Sequence, residues 1–281
     1  MPSSPSVSRS SRGADHGVPP PPRVAMLIDS HVHLDASEFA ADRDEVIGNA
    51  RAAGVQGFVV PAVGRQSFDA VLALAAARRD VGSALGIHPM YVMGACEDDL
   101  DVLEAHLARG AARAVGEIGL DHFVTDVDPV RQLDFFVAQL KLARRHDLPV
   151  ILHVRRAVDP ILKQLRRIGV RGGIAHAFNG SRQQAQMFID LGFRLGFGGA
   201  MSFEGSSRIR ELARTLPLSA IVLETDAPDI PPAWAQGERN VPANLARYAA
   251  LLAQLRGIST DEVVETTGRN VCEVLGGWQP G

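Results

Sequence analysis

The sequence has few cysteines and no long apolar run. Only Cys96 and Cys272 are cysteines among its 281 residues, and they form no CxxC pair, which argues against a disulfide framework and a thiolate metal site. No apolar run approaches the roughly 18 to 20 residues of a membrane span, and residues 1–25 lack the apolar centre of a secretory signal. We therefore expect a cytoplasmic protein that makes no membrane contact.

The sequence also has no excess of basic residues. Its formal net charge is -3 at pH 7. A protein that holds nucleic acid on a broad basic surface needs many lysines and arginines against the phosphates. Any affinity for phosphate must therefore come from a local site.

The first two dozen residues differ in composition from the rest of the chain. Residues 1–24 consist mostly of Ser, Pro, Arg and Gly, which predicts a disordered N-terminal tail before a single domain over residues 25–281. A second methionine, Met26, stands directly before the first predicted strand. We hypothesise that translation starts at Met26, and mass spectrometry of the native N-terminus would test this.

From residue 24 onward, short apolar runs alternate with segments whose apolar residues recur every three or four positions. This alternation is typical of repeated βα units, and eight units in about 250 residues predict an α/β fold of the (β/α)8 TIM-barrel type. Two helical segments follow the last strand, so an extra C-terminal helix is expected. A doubly wound open sheet is the alternative, but no GxGxxG follows the first strand. The predicted strands are VAMLID, GFVVP, SALGIH, AVGEIG, PVILH, GGIAHAF, RLGFGGA and AIVLETD.

Histidines and carboxylates interrupt these apolar strands at their predicted carboxyl ends, where the active sites of TIM barrels lie. Burying so many unpaired imidazoles and carboxylates together costs several kcal/mol each, and coordination to a cation relieves that cost. The residues concerned are His31, His33, His88, Glu117, His153, His176 and Asp226.

The chemistry of these side chains indicates which ions they would bind. Imidazole and carboxylate without thiolate suit Zn²⁺, Mn²⁺ or Fe²⁺, and carboxylates favour Mg²⁺ or Mn²⁺. Six ligands are too many for one tetrahedral ion but suit two divalent ions roughly 3.5–4 Å apart that share a carboxylate and a water. Two such ions with Glu117 and Asp226 would leave the site positive by about two units, which suits a phosphodiester.

The chain resembles the TatD-type metal-dependent hydrolases, commonly described as deoxyribonucleases, because seven of its motifs match motifs of that family in the same order. That resemblance implies a TIM barrel, two metal ions and hydrolysis of DNA phosphodiesters, often as an exonuclease. It also implies that His31, His33 and Asp226 bind one ion, that His153 and His176 bind the other, and that Glu117 bridges the two. The motifs are DSHVHLD, GIHP, GEIGLD, PVILHVRRA, HAFNGS, ETDAPDIPP and ERNVPANL.

Three segments depart from the commonest pattern of that family. His122 and Phe123 follow GLD, where a pair of tyrosines is frequent, and Arg156 stands where an acidic residue is frequent. HAFNG replaces the more usual HCFSG. None of these positions is a predicted ligand, and all lie in loops expected to contact the substrate.

Two carboxylates and one histidine have alternative roles. Asp29 and Glu224 each lie two residues before a predicted ligand, so they could orient His31 or a metal-bound water, or simply accept backbone hydrogen bonds. His88 is predicted to donate a hydrogen bond to a substrate phosphate, because the ligand set is already full.

The surrounding loops contain candidates for contact with the substrate. Arg155 is predicted to bind phosphate, with Arg156 as the alternative, because a planar guanidinium matches phosphate geometry. Phe123, Phe203 and Trp234 are candidates for stacking on bases, and loop packing is the commoner role for any one of them.

Three functions compete. The first is a two-metal phosphodiesterase that cleaves DNA, and RNA as a second substrate, through a metal-bridging hydroxide, with Asp226 handling the proton. The second is an amidohydrolase-type enzyme that cleaves a cyclic amide or an aminoacyl ester, although many such enzymes bridge their metals with a modified lysine where Glu117 stands here. The third, a non-enzymatic metal-binding module, would not need so many ligands. No obligate protein partner is indicated.

Overall fold

Eight parallel strands form the centre of the molecule. The computed structural model describes residues 25–281, so the tail predicted for residues 1–24 lies outside the described residues. The strands pair in sequence order, each with the next along the chain. They are β1 (Leu27–Asp29), β2 (Val55–Pro61), β3 (Val81–Leu85), β4 (Ala114–Asp121), β5 (Val150–Arg155), β6 (Gly173–Ala175), β7 (Phe193–Phe197) and β8 (Ile221–Leu223).

Backbone hydrogen bonds just beyond the strands join the first strand to the last. The Ser30 N–H donates to the Leu223 carbonyl at 3.0 Å, and the Asp226 N–H donates to the His31 carbonyl at 2.9 Å. These bonds bring the two edges of the sheet together at its carboxyl end. The predicted (β/α)8 barrel is therefore confirmed, and the open sheet is not observed.

Helices alternate with the strands and cover the outside of the barrel. Local sequence signals set several of their ends. The Asp128 carboxylate accepts a hydrogen bond from the Val130 N–H at the start of the fourth helix, and Gly169 ends the fifth in a left-handed conformation with φ of 74°. The helices are α1 (Arg43–Ala52), α2 (Arg65–Ala77), α3 (Glu97–Ala108), α4 (Pro129–Arg145), α5 (Val158–Ile168), α6 (Arg182–Asp190), α7 (Ser207–Thr215), α8 (Leu245–Arg256) and α9 (Thr260–Val274).

The extra C-terminal helix, α9, closes the amino end of the barrel. One apolar cluster contains a side chain from each of seven strands, such as Ile28 and Val222, packed with Val271, Leu275 and Trp278 from α9 and the residues after it. A second, larger cluster fills the layer between strands and helices. Because the amino end is packed with apolar side chains, the carboxyl end is left for polar chemistry. Within residues 25–281, no helix combines the length and the apolar composition that crossing a bilayer requires.

Several strands end earlier than the sequence predicted. β3 ends at Leu85 and β8 at Leu223, so His88 and Asp226 lie in the loops just past these strands, and His31 lies two residues past β1, which ends at Asp29 as predicted. The physical reason is that their backbone groups bond to neighbouring loops instead of continuing a ladder, and Asp226 has a left-handed φ of 57°. Of the predicted site residues, only Asp29, Glu117, His153 and Arg155 lie within strands.

Candidate metal centre

Four donor atoms from three different loops and strands face one another at the carboxyl end of the barrel. Nε2 of His31 and Nε2 of His33 lie 3.3 Å apart. Oε2 of Glu117 lies 3.2 Å from the first nitrogen and 3.7 Å from the second. Oδ1 of Asp226 lies 3.6 Å from each of them. We call these four residues the first ligand group.

The other oxygen of Glu117 faces a second set of nitrogens. Oε1 of Glu117 lies 3.1 Å from Nδ1 of His153 and 3.9 Å from Nε2 of His176. Oδ2 of Asp226 lies 3.9 Å from the same His176 nitrogen. We call Glu117, His153, His176 and Asp226 the second ligand group. Two carboxylates are therefore shared by both groups, and Glu117 directs one oxygen to each.

The histidines and carboxylates of this centre could hold a divalent cation. Ligand atoms bound to one ion at about 2.0–2.1 Å in tetrahedral geometry lie about 3.3 Å apart, close to the shorter spacings seen here. Neutral imidazoles and carboxylates are the donors that such ions prefer. The side chains are also nearly removed from water, since those of His31, Glu117 and His176 are 0%, 3% and 6% exposed. The residues present can thus hold metal, as the sequence predicted.

Burial and mutual proximity together shift the pKa values of these groups strongly. Burial, followed by the nearby His176, lowers the pKa of His31 to about 3. Burial also opposes a charge on His176, but the carboxylates of Asp226 and Glu224 outweigh it and raise the pKa of His176 to about 10. Burial raises the pKa of Asp226 to about 6. In the absence of metal, the cluster therefore keeps a proton where an ion would otherwise supply the positive charge.

Glu224 orients His176. Its Oε1 accepts hydrogen bonds from Nδ1–H of His176 at 3.1 Å and from the Ala177 N–H at 2.6 Å. With a proton held on Nδ1, Nε2 is the nitrogen that faces the second ligand group and is left for an ion to bind. Gly196 leaves the space for this carboxylate, because a Cβ there would lie 2.1 Å from Oε2 of Glu224.

Asp29 contacts Thr225 and backbone N–H groups rather than an imidazole ring. Its carboxylate accepts hydrogen bonds from the Thr225 hydroxyl at 2.6 Å, the Thr225 N–H at 2.9 Å and the His31 N–H at 3.3 Å. Burial raises the pKa of Asp29 to about 8, and these three donors oppose that shift. Asp29 therefore ties the loop after β1 to the loop after β8, which fixes the backbone on either side of His31 and Asp226.

Asp121 is a site residue that the sequence analysis missed. Its Oδ2 lies 2.9 Å from Nε2 of His153, and its Oδ1 accepts from the N–H groups of Phe123 and Val124. Burial opposes its ionisation, but these hydrogen bonds lower the pKa of Asp121 to about 2. A signal was present, because Asp121 lies four residues after Glu117 on β4 and a strand sends every second side chain to one face.

His88 lies closer to the ligand groups than the sequence analysis expected. Its Nε2 lies 3.0 Å from Nδ1 of His153 and 3.5 Å from Oε1 of Glu117, and these three residues alone could surround a cation. The Met90 N–H, however, donates to Nδ1 of His88 at 3.2 Å. Burial lowers the pKa of His88, so the ring is neutral and carries its proton on Nε2. That tautomer gives His88 a hydrogen-bond donor at the centre rather than a lone pair.

The aromatic side chains in the loops around the centre differ in their exposure to solvent. Phe123 and Tyr91 are 45% and 49% exposed, and the Tyr91 ring lies 5.9 Å from the His88 ring. The sequence analysis did not single out Tyr91, although it lies two residues after GIHP. Trp234 is instead half-buried, donates from Nε1 to Asn244 at 3.0 Å and packs beside Tyr248. Phe203 is half-buried in the loop after β7.

Comparisons with known proteins agree with this geometry. The family model described as TatD related DNase matches residues 28–276. The Escherichia coli protein named "Uncharacterized metal-dependent hydrolase YjjV" is 40% identical over 250 residues, which cover 88% of this chain and 96% of the relative. A Haemophilus influenzae metal-dependent hydrolase is 36% identical over 259 residues, covering 89% of this chain and 99% of the relative.

Solved structures support the same assignment. The crystal structure of YjjV superposes with a TM-score of 0.86 and covers 89% of this chain and 98% of its own. A TatD family hydrolase from Entamoeba histolytica is only 19% identical and shows the shared fold, with a TM-score of 0.79 over 91% of this chain and 99% of its own. The match of the family model to nearly all of the described barrel establishes that this chain belongs to the TatD family of metal-dependent hydrolases.

Proposed function

We propose that this protein hydrolyses DNA phosphodiesters with two divalent cations. The observation that carries the proposal is the position of the Glu117 carboxylate between two pairs of histidines. Its Oε2 faces His31 and His33, and its Oε1 faces His153 and His176. One carboxylate placed between two sets of nitrogens suits a pair of adjacent ions. The description of the matching family as a DNase supports the same substrate class.

The residues would divide the work as follows. Bound divalent ions would activate water and neutralise charge on the phosphate oxygens. Asp226, whose pKa is raised by burial to about 6, is suited to accept the proton that the attacking water loses near neutral pH. His88 offers Nε2–H to a phosphate oxygen. The Arg155 side chain is 49% exposed and lies beside Asp121, so its guanidinium can contact the phosphates of the same DNA strand.

The surroundings of the centre favour a nucleic acid over a small neutral substrate. Tyr91 is an exposed ring on the loop after β3, and two arginines lie against the ring of Phe123 on the loop after β4. Exposed aromatic rings beside cations can bind bases and phosphates of a single strand without selecting a sequence. DNA is thus the proposed partner, and RNA is the related substrate that the 2′-hydroxyl would distinguish.

The test is a cleavage assay with defined metal content. The protein is stripped of metal with EDTA, desalted, and incubated with labelled single-stranded DNA, double-stranded DNA, RNA and an abasic duplex, each with Mg²⁺, Mn²⁺ or Zn²⁺ added back. We expect cleavage of DNA that needs added metal and stops with a chelator. Undiminished cleavage after exhaustive stripping would contradict the proposal.

The same assay includes the competing chemistry. A cyclic amide and an aminoacyl ester are added as substrates, because an amidohydrolase-type enzyme could use the same ligands. Hydrolysis of either one without cleavage of any nucleic acid would replace the proposed function with the alternative.

A further inference from the structure

Two arginines lie against one exposed aromatic ring beside the metal centre. Cζ of Arg155 lies 3.9 Å from the centroid of the Phe123 ring, and Cζ of Arg156 lies 4.5 Å from it. Contacts of this kind hold a guanidinium by cation–π attraction while its N–H groups stay free. We call Phe123, Arg155 and Arg156 the arginine clamp.

The backbone brings both arginines next to the loop that contains Phe123. Asp121 pairs with Arg155 between β4 and β5, so the loop after β4, which contains Phe123, begins next to the end of β5. Arg156, the next residue, has a left-handed φ of 54°. A bulky side chain rarely adopts this conformation, and such strain persists only where the surrounding structure imposes it, commonly at functional sites.

The clamp is adjacent to the two ligand groups but separate from them. Nη1 of Arg155 lies 3.8 Å from Oδ2 of Asp121, and that oxygen lies 2.9 Å from Nε2 of His153, whose other nitrogen faces Glu117. The Asp121 carboxylate thus lies between the ligand groups and the guanidiniums. A phosphate at the ions and an anion at the clamp would occupy two positions, with a carboxylate between them.

The charge of the clamp is only partly neutralised. Asp121 offers Arg155 one oxygen that already accepts from His153. Arg156 is exposed and forms no ion pair of 4.0 Å or less with the residues that the structure describes. At least one guanidinium therefore keeps its fork of donors for a ligand, and that fork matches a phosphate.

We infer that the arginine clamp binds a second phosphate, the one next to the phosphodiester being cleaved. This inference rests on the proposed function. It makes the preferred substrate a strand with at least two phosphates rather than an isolated phosphodiester. Phe123 acts as a positioning residue, because its ring holds the guanidiniums and does not itself reach the anion.

Two substrates separate this role from the chemistry at the ions. Bis(p-nitrophenyl) phosphate has one phosphate, whereas an oligothymidylate has a neighbouring one. We expect Arg156→Gln to lower the ratio of kcat/KM for the oligothymidylate to that for the small diester by about five- to tenfold, mainly through KM. The matched control is Arg167→Gln, an exposed arginine in the last turn of α5 at the opposite end of the barrel, which should keep the ratio.

Binding gives a second readout that does not depend on turnover. Fluorescence anisotropy of a labelled oligothymidylate with metal-stripped protein, at several salt concentrations, yields the slope of log K against log salt. Removing one phosphate contact from a single strand should reduce that slope by about 0.7. Arg156→Gln should show this change and Arg167→Gln should not.

The positioning role of Phe123 is tested by a double-mutant cycle. Phe123→Leu alone should weaken binding about as much as Arg156→Gln, but it should add little in a chain that already carries Arg155→Gln and Arg156→Gln. If Phe123→Leu still weakens binding there, the ring contacts the base itself and the positioning role is wrong.

The outcomes also separate the inference from the function on which it rests. If the native chain cleaves DNA but Arg156→Gln keeps the substrate ratio and the salt slope of Arg167→Gln, the clamp does not bind a second phosphate and the proposed function stands. If the native chain cleaves neither DNA nor the small diester under any metal, the proposed function fails and the clamp loses its basis.

Discussion

Oε1 of Glu224 accepts a hydrogen bond from Nδ1 of His176, and this 3.1 Å contact decides which nitrogen of the ring faces the metal centre. Because Nδ1–H donates to Glu224, Nε2 is the nitrogen that faces Glu117 and Asp226 and that an ion would bind. The pair is the carboxylate–imidazole arrangement that commonly supports a metal ligand. A residue outside the ligand groups should therefore control how tightly metal binds.

Glu224→Gln should weaken metal binding by about 10- to 100-fold, because the amide keeps the shape but removes the charge that supports His176 as a ligand. Metal content after dialysis and calorimetric titration measure the effect. Glu211→Gln, an exposed position on α7, is the control. Native affinity in Glu224→Gln would mean that the contact only packs the loop.

Metal binding should release protons. The Asp226 and Glu224 carboxylates raise the pKa of His176 to about 10 against the effect of burial, so the metal-free protein carries this proton at neutral pH. An ion that binds Nε2 must displace it. The apparent metal affinity should rise about tenfold per pH unit below that pKa for one displaced proton. Calorimetry in buffers of different ionisation enthalpy counts the protons, and a binding heat that is independent of the buffer would contradict the prediction.

The raised pKa of His176 also affects the stability of the metal-free protein. A histidine whose pKa is raised on folding stabilises the folded state at low pH and loses that contribution as pH rises from 6.5 to about 10. The free energy of unfolding of the metal-free protein should therefore fall across this range. Urea titrations at several pH values would measure it, and His176→Gln should flatten the dependence.

Replacing His88 should weaken substrate binding more than metal binding. Its Nδ1 accepts from Met90 and its Nε2 carries the proton, so it can donate but cannot coordinate in that tautomer. His88→Ala should raise KM for DNA several-fold and leave the metal content of the protein unchanged. Metal analysis beside steady-state kinetics tests this. Loss of an ion with intact KM would make His88 a ligand.

The sequence predicted the barrel and the ligand positions because both depend on short-range patterns. Apolar runs mark the strands, and Glu117 and His153 lie on strands where the alternation of side chains holds. His31 and His33 lie past the end of β1, yet their spacing still brought them together. The loops begin earlier than the sequence indicated.

The roles of the supporting carboxylates could not be predicted in the same way. Asp29 lies two residues before His31, in the same alternation of side chains. Its partner, however, is Thr225, 196 residues along the chain, and that contact exists only because the barrel closes. The alternation of side chains along β4 places Asp121 on the face of Glu117, but its partner, His153, lies on the adjacent strand at a register that the sequence does not reveal. A hydrogen-bond partner is a property of the assembled fold.

Asp226 is the residue on which the proposed chemistry most depends. Its two oxygens face both ligand groups, Oδ1 at 3.6 Å from His31 and His33 and Oδ2 at 3.9 Å from His176. Its side chain is still 13% exposed, so it can contact both the ions and the solvent that enters the site. Burial raises its pKa to about 6, which suits a base that must accept a proton near neutral pH.

Asp226→Asn separates those two roles. Asparagine keeps the shape and one oxygen for coordination, but it is neutral and cannot take the proton. We expect the fold and much of the metal to be retained while kcat falls by about two orders of magnitude or more. Asp229→Asn, an exposed carboxylate three residues along the same loop, is the matched control and should keep native kcat. Full metal content with near-native kcat in Asp226→Asn would exclude Asp226 as the base and leave it a ligand only.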